Sequence, residues 1–144
     1  MTEERKSVLI LCTGNSARSQ MAEGLLKHIC GDRFEIHSAG TRPVGVNPAA
    51  IAALQEVSID ISDNRSKSID EFSNVPIDYV LTVCDNAKGD CPYFPARTRL
   101  VHHAFDDPAS IEGDDETQLE GFRRVRDEID TYLREDFAKN ILGL

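Results

Sequence analysis

The chain has 144 residues, of which 25 are acidic and 16 are basic, for a formal net charge of −9. This length is typical of one domain, and we expect residues 1–144 to form a single one. This negative charge disfavours binding to nucleic acids and anionic membranes, because a protein binds either of them through a basic surface. The longest apolar run near the start, residues 8–12, is too short for a membrane span or a signal peptide. We therefore expect a cytoplasmic protein, in which disulfides are usually transient and catalytic or redox-sensing.

In chain order, the hydrophobic pattern predicts strands that alternate with helices. Apolar, β-branched runs indicate strands at residues 7–11, 34–39, 77–83 and 100–104. Helical spacing indicates helices around residues 21–29, 48–57, 69–72 and 117–133. Asn47 is the expected N-cap of the second helix, and Thr117 with Glu120 fits a capping box on the last one. The pattern predicts one α/β domain with a parallel sheet covered by helices on both faces, and leaves the packing of residues 136–144 undecided.

The first predicted strand leads into a loop that is suited to binding an oxyanion. Backbone N–H groups at a helix N-terminus can wrap a tetrahedral anion. Gly14 permits the backbone conformations that this wrapping needs, and Asn15 tolerates a left-handed turn. The residues that we expect to bind the anion are Thr13, Gly14, Asn15, Ser16, Ala17, Arg18 and Ser19.

Within this loop, Cys12 is the candidate nucleophile. Arg18 would clamp two oxygens of the anion, and Ser19 would donate a hydrogen bond to the Cys12 sulfur. The same donors would stabilise the thiolate, which is the reactive form. The alternative is a buried structural cysteine with a solvated Arg18, while an ATP-type P-loop is excluded because its Gly-Lys-Ser/Thr ending is absent.

The stretch from Cys12 to Ser19, extended by Gln20-Met21-Ala22-Glu23-Gly24, resembles the active-site loop of the low-molecular-weight protein tyrosine phosphatase superfamily. It is more similar still to the thioredoxin-coupled arsenate reductases built on that fold, and the resemblance runs through Phe105-Asp106-Asp107-Pro108. It implies a four-stranded parallel sheet of order 2-1-3-4, flanked by helices, with the anion loop at the carboxyl edge of the strands. Asp107 is similar to the family's general acid, which protonates a departing oxygen.

Two further cysteines distinguish the reductases from the phosphatases of this superfamily. Cys84 follows the third predicted strand, at the same sheet edge as Cys12, and Cys91 lies seven residues further on. In the reductase that the resemblance implies, Cys12 attacks arsenate and Cys84 attacks the Cys12 sulfur, which releases arsenite. Cys91 then forms a Cys84–Cys91 disulfide that thioredoxin reduces. The expected catalytic residues are therefore Cys12, Cys84, Cys91, Arg18 and Asp107, with no cofactor and no metal.

Several alternatives stay open at this point. A phosphatase acting on phosphotyrosine or on small phosphate esters would use the same loop, because phosphate and arsenate share charge and shape. A non-enzymatic redox sensor or an oxyanion-binding protein would also need reactive cysteines. Zinc binding lacks its usual Cys-x2–4-Cys spacing. The cysteines, Cys30 above all, could also be small buried hydrophobes.

Some arsenate reductases bind a potassium ion through Asn, Glu, Ser and Asp side chains. In this sequence Asn15, Glu23 and Ser38 match three of those places, whereas the fourth falls at Lys67. An ammonium group cannot ligate a cation. We therefore expect the Lys67 ammonium to occupy some of the space that the ion would take.

Overall fold

A computed structural model of the chain describes residues 5–84 and 93–144. Within them the strands are β1 (Lys6–Cys12), β2 (Phe34–Gly40), β3 (Tyr79–Thr82) and β4 (Arg99–His102). The α-helices are α1 (Arg18–Cys30), α2 (Pro48–Gln55) and α3 (Asp115–Tyr132). Short 3-10 helices lie at Ile69–Phe72 and Pro108–Ser110, and a π-helical segment, Leu133–Ile141, continues α3. The predicted alternation of strands and helices is confirmed.

The four strands form one parallel sheet in the order β2-β1-β3-β4. This order is the one that the family resemblance implies. The central strand is β1, in which Ile10 pairs with Ser38 on one side and with Leu81 on the other. Residues 8–11 of β1 are completely buried, as expected for a strand that is covered on both faces.

Among the described residues, two apolar clusters cover the two faces of the sheet. Val8 and Ile10 face the larger cluster, which takes in side chains of all three α-helices. Leu9 and Leu11 face the smaller cluster on the opposite side. This alternation follows from the twofold periodicity of a strand. Cys12 continues the even-numbered series, and its side chain therefore lies on the face that the larger cluster covers.

The ends of two helices differ from the predictions. The second helix stops at Gln55 instead of reaching Val57, because the backbone turns at Ser58, whose φ is 66°. The predicted Thr117–Glu120 capping box is wrong, since the N-cap of α3 is Asp114. The Asp114 carboxylate accepts a hydrogen bond from the backbone N–H of Thr117 at 2.9 Å, and this bond holds the pKa of Asp114 below its usual range.

The C-terminal tail, which the pattern leaves undecided, packs against the core. Phe137 is completely buried, and Ala138 and Leu142 are nearly so. The ring of Phe137 lies 6.3 Å from that of Tyr132, measured between centroids. Phe137 and Leu142 both belong to the larger apolar cluster, so the π-helical segment is part of the folded core.

We expect Phe137→Ala to lower the free energy of unfolding by about 3 kcal/mol or more, because truncation of a buried phenylalanine leaves a cavity. Leu144→Ala is the control, since Leu144 is 41% exposed, and we expect it to change stability by less than about 0.5 kcal/mol. Urea denaturation followed by circular dichroism measures both. A loss in Phe137→Ala no larger than that in Leu144→Ala would contradict the packing of the tail.

Candidate active site

Cys12 is the last residue of β1 and begins the loop that leads into α1. It is 3% exposed, and its Sγ lies 2.8 Å from the hydroxyl oxygen of Ser19. None of the described side chains caps α1 at its N-cap residue, Ala17. The N–H groups of the first helical turn are therefore available to an anion, and the helix dipole favours negative charge at this end.

Asn15, and not Gly14, has the left-handed backbone conformation in this loop, as expected. The φ of Asn15 is 45°, whereas the φ of Gly14 is outside the left-handed region. A Cβ at Gly14 would instead lie 3.2 Å from a methyl carbon of Val44. The segment around Val44 crosses close to the loop, where the N–H groups of Arg42 and Val44 donate to the carbonyls of Thr13 and Gly14 at 2.9 and 3.1 Å. A small residue at position 14 thus gives this segment room.

A chain of buried polar groups connects Cys12 to the carboxylate of Glu23. The Asn15 amide nitrogen donates to the hydroxyls of Ser19 and Ser38, both at 2.9 Å. The Ser38 hydroxyl donates in turn to Glu23 Oε1 at 2.6 Å. A carboxylate only accepts hydrogen bonds, so the Ser38 hydroxyl donates its proton to Glu23. The two amide protons of Asn15 are donated to the hydroxyl oxygens of Ser19 and Ser38. The Ser19 hydroxyl therefore donates its proton to the Cys12 sulfur, and this hydrogen bond favours the thiolate.

The orientation of the Asn15 side chain is fixed from its other end. Asn15 Oδ1 accepts the backbone N–H of Lys67 at 2.8 Å and the amide of Gln20 at 3.0 Å. The Ser66 hydroxyl also donates to the Asn15 carbonyl, at 2.5 Å. Sequence reasoning missed Gln20 and Ser66. For Gln20 the available signal was its spacing, since Gln20 and Glu23 are polar residues three positions apart that α1 buries on one face.

Arg18 and Asp107, both predicted site residues, lie close together. Arg18 Nη2 is 3.9 Å from Asp107 Oδ2, and Arg18 Nη1 donates to the Phe105 carbonyl at 3.3 Å. The Arg18 side chain is only 11% exposed, whereas that of Asp107 is 41% exposed. Asp107 is also the N-cap of the 3-10 helix Pro108–Ser110, through an N–H donated by Ala109 at 3.0 Å. This capping fixes the carboxylate beside the guanidinium.

Cys84 lies at the same edge of the sheet as Cys12. It is 1% exposed and belongs to the same apolar cluster. The pairing continues past the end of β3, where the Val83 N–H donates to the Leu11 carbonyl at 2.9 Å. Neighbouring strands lie about 4.8 Å apart, so Cys12, at the end of β1, and Cys84, two residues past the end of β3, lie on adjacent segments of the chain. Cys12 is a free thiol, whereas Cys84 is disulfide-bonded; Cys91 lies outside the described residues.

Cys30, at the opposite end of α1, has a different environment. Burial, together with the charge of Asp32, raises the pKa of the Cys30 thiol to about 11, although Arg33 opposes the shift. The thiol is therefore protonated at neutral pH and is a poor nucleophile. This agrees with the expectation that Cys30 is a small buried hydrophobe.

The comparisons with known proteins agree with this site. Residues 7–141 match the model of the family described as low molecular weight phosphotyrosine protein phosphatase. The chain belongs to this family. The arsenate reductase of Halalkalibacterium halodurans is 49% identical over 130 residues, which cover 90% of this chain and 94% of the relative. The resemblance to the arsenate reductases of this superfamily is thereby confirmed.

Two solved structures support the same assignment. A structure of an arsenate reductase in an oxidized state is 31% identical, with a TM-score of 0.78, and the match covers 93% of this chain and 98% of that one. A thioredoxin-dependent arsenate reductase from Corynebacterium glutamicum is 29% identical, with a TM-score of 0.71, over 100% of this chain and 66% of that one. Both confirm that the fold is that of the family's reductases.

Two other features of the described residues bear on function. No helix within residues 5–84 and 93–144 is long and apolar enough to cross a membrane. The same residues contain no group of three or more His, Cys, Asp or Glu side chains that could bind a metal ion.

We expect Ser19→Ala to slow the alkylation of Cys12 by iodoacetamide at neutral pH by about 10-fold or more, since a hydrogen bond to a charged group contributes about 1.5–3 kcal/mol. Ser73→Ala, at an exposed serine that ends the 3-10 helix Ile69–Phe72, serves as the control. Peptide mass spectrometry measures the modification of Cys12 alone. Equal rates in Ser19→Ala and in the unmodified protein would show that the hydroxyl does not stabilise the thiolate.

The raised pKa of Cys30 predicts its own pattern of modification. Near neutral pH, iodoacetamide should label Cys12 and leave Cys30 unmodified, because the Cys30 thiolate forms only as the pH rises towards about 11. The same mass spectra, recorded over a series of pH values in the folded protein, measure both sites. Labelling of Cys30 as fast as that of Cys12 near neutral pH would be inconsistent with its burial.

Proposed function

We propose that this protein reduces arsenate to arsenite by a relay through Cys12, Cys84 and Cys91, that thioredoxin regenerates it, and that residues 1–144 act as one domain. The observation that carries the proposal is the placement of two buried cysteines, Cys12 and Cys84, at the ends of neighbouring strands on one edge of the sheet. A phosphatase of this family needs only the first thiol. The likeness to relatives named arsenate reductase supports the same choice.

In the first step the Cys12 thiolate attacks arsenic(V). The N–H groups at the start of α1 and the Arg18 guanidinium hold the arsenate oxygens, and Ser19 stabilises the thiolate until it reacts. An arsenate oxygen leaves as water after it has been protonated, and the carboxyl group of Asp107, which lies beside Arg18, would supply that proton. The product is a covalent Cys12–arsenic(V) adduct, and no electrons have yet been transferred.

In the second step the Cys84 thiolate attacks Cys12 Sγ. The sulfur–arsenic bond breaks and its electron pair stays on arsenic, which leaves as arsenite in the trivalent state. A Cys12–Cys84 disulfide forms, so the two electrons that reduce arsenic come from two thiols. Cys12 and Cys84 lie where the neighbouring strands β1 and β3 end, so this bond would join two adjacent segments at one edge of the sheet.

The third step replaces the Cys12–Cys84 disulfide with a Cys84–Cys91 disulfide. Cys91 attacks Cys84 Sγ, Cys12 leaves as a thiolate, and the resulting Cys84–Cys91 disulfide is reduced by the dithiol of thioredoxin. A state in which Cys84 is oxidised while Cys12 is a free thiol is one that this sequence of steps passes through. Thiol chemistry of this kind needs a reducing compartment, so we place the protein in the cytoplasm, where it would serve in arsenic detoxification.

Cysteine-to-serine variants test the relay. With thioredoxin, thioredoxin reductase and NADPH, we expect Cys12→Ser, Cys84→Ser and Cys91→Ser to lose multiple turnovers of arsenate. Without thioredoxin, Cys91→Ser should still release about one arsenite per protein, because its Cys12–Cys84 pair supplies two electrons. Cys30→Ser is the matched control, and we expect it to keep its turnover because the Cys30 thiol stays protonated.

Hydrolysis of para-nitrophenyl phosphate by the same variants separates the phosphatase alternative. Cys84→Ser and Cys91→Ser should keep any phosphatase activity that the unmodified protein has, whereas Cys12→Ser should lose it. Full arsenate turnover by Cys91→Ser with thioredoxin as the reductant would refute the relay. Phosphate ester hydrolysis without any arsenite release would identify a phosphatase, and oxidation without arsenite release would identify a redox sensor.

A further inference from the structure

The polar groups beside the anion loop do not fit the potassium site that some arsenate reductases have. Asn15 turns its amide nitrogen, not its oxygen, towards Ser38, and its oxygen is engaged by the Lys67 N–H. The Lys67 ammonium lies 3.6 Å from Glu23 Oε1. A positively charged side chain thus stands next to the carboxylate oxygen on which a cation would have to bind, as the sequence leads us to expect.

We propose that the Lys67 ammonium is a built-in cation that positions the Cys12 nucleophile through Glu23, Ser38, Asn15 and Ser19, and that it makes the reaction independent of added monovalent cations. The role in turnover rests on the proposed reductase function, whereas the effect on Cys12 does not. Lys67 touches neither Cys12 nor the anion loop with its ammonium group, so it is a positioning residue.

Glu23 needs a positive charge because it is buried. Its side chain is only 3% exposed, and an unpaired carboxylate in such a place is strongly unfavourable. Two lysines supply the charge on different oxygens. Lys27 binds Oε2 at 2.9 Å from a position that is 50% exposed, whereas Lys67, 15% exposed, lies beside Oε1. Oε1 is the oxygen that accepts the Ser38 proton.

The charge on Oε1 decides the direction of the hydrogen bonds that end at Cys12. Lys67 lies beside Oε1, which accepts from Ser38, so Asn15 donates to both serines and Ser19 donates to the sulfur. Without the ammonium, Glu23 is paired only through Oε2, by Lys27, and Oε1 loses the charge that lies beside it and beside Ser38. The hydrogen bonds that orient the Ser19 proton towards Cys12 are then held less firmly.

Lys67→Ala removes the ammonium but keeps the backbone N–H that binds Asn15 Oδ1. We expect it to lower kcat/KM for arsenate in choline chloride by about 10-fold, since a misplacement of about 1 Å in a reacting group can cost up to about 10²-fold. Potassium chloride at equal ionic strength should restore most of that loss, because the truncation opens space beside Glu23 and Ser38. The unmodified protein should show the same kcat/KM in both salts.

Two control variants separate charge, space and general electrostatics. Lys67→Met fills the volume without the charge, so we expect the same loss but no restoration by potassium. Arg134→Ala, on the π-helical segment, removes an exposed ion pair with Asp130, and we expect its kcat/KM to stay within about twofold of the unmodified protein in either salt, as is usual for exposed pairs. Thermal unfolding of each variant shows that the comparison is made on folded protein.

The alkylation rate of Cys12 gives a readout that does not depend on arsenate reduction. It should fall in Lys67→Ala in choline and recover in potassium, even if the protein releases no arsenite and the proposed function fails. The proposal is overturned if potassium stimulates the unmodified protein more than about twofold, a measurement that needs no variant. It is equally overturned if Lys67→Ala matches the unmodified protein in choline, or if potassium restores Lys67→Met as fully as Lys67→Ala.

Discussion

One buried acceptor, the Glu23 carboxylate, sets the direction of the hydrogen bonds that reach Cys12. Serine and asparagine side chains can both donate and accept, so a chain built from them alone has no fixed direction. A group that can only accept removes that freedom at one end, and each proton along Ser38, Asn15 and Ser19 is then assigned. The donor that stabilises the Cys12 thiolate is therefore specified by a residue with which Cys12 has no direct contact.

The parallel sheet explains why two cysteines far apart in sequence can share one chemistry. Neighbouring parallel strands end at the same edge, and β1 and β3 are neighbours although β2 lies between them in the chain. Helix α1 adds an electrostatic contrast. Its N-terminus lies beside Cys12, where the dipole favours an anion. At its other end, burial and then the charge of Asp32 raise the pKa of the Cys30 thiol. The two cysteines at the ends of one helix thus have different electrostatic surroundings.

The sequence was informative wherever a short-range pattern determines the structure. The buried run in β1, the alternating strands and helices, the Asn47 cap and the position of the anion loop all follow from neighbours along the chain. The contacts that hold Asn15 do not, because Ser66 and Lys67 come from a polar stretch some fifty positions away. Gly14 shows the same limit, since its role depends on the approach of Val44, which no local rule describes.

The selectivity of such a site for arsenate has to come from the second cysteine and not from the loop. Backbone N–H groups and a guanidinium recognise charge and tetrahedral shape, which phosphate and arsenate share. Phosphorus in a phosphate bound at Cys12 has no accessible lower oxidation state, so an attack by Cys84 on the sulfur cannot release a reduced product. Arsenic, in contrast, accepts the electron pair and leaves in the trivalent state. Arsenite is uncharged at neutral pH, so it loses the attraction that held the arsenate dianion, and an otherwise acidic surface does nothing to retain it. The loop can therefore bind both anions and still serve only one reaction.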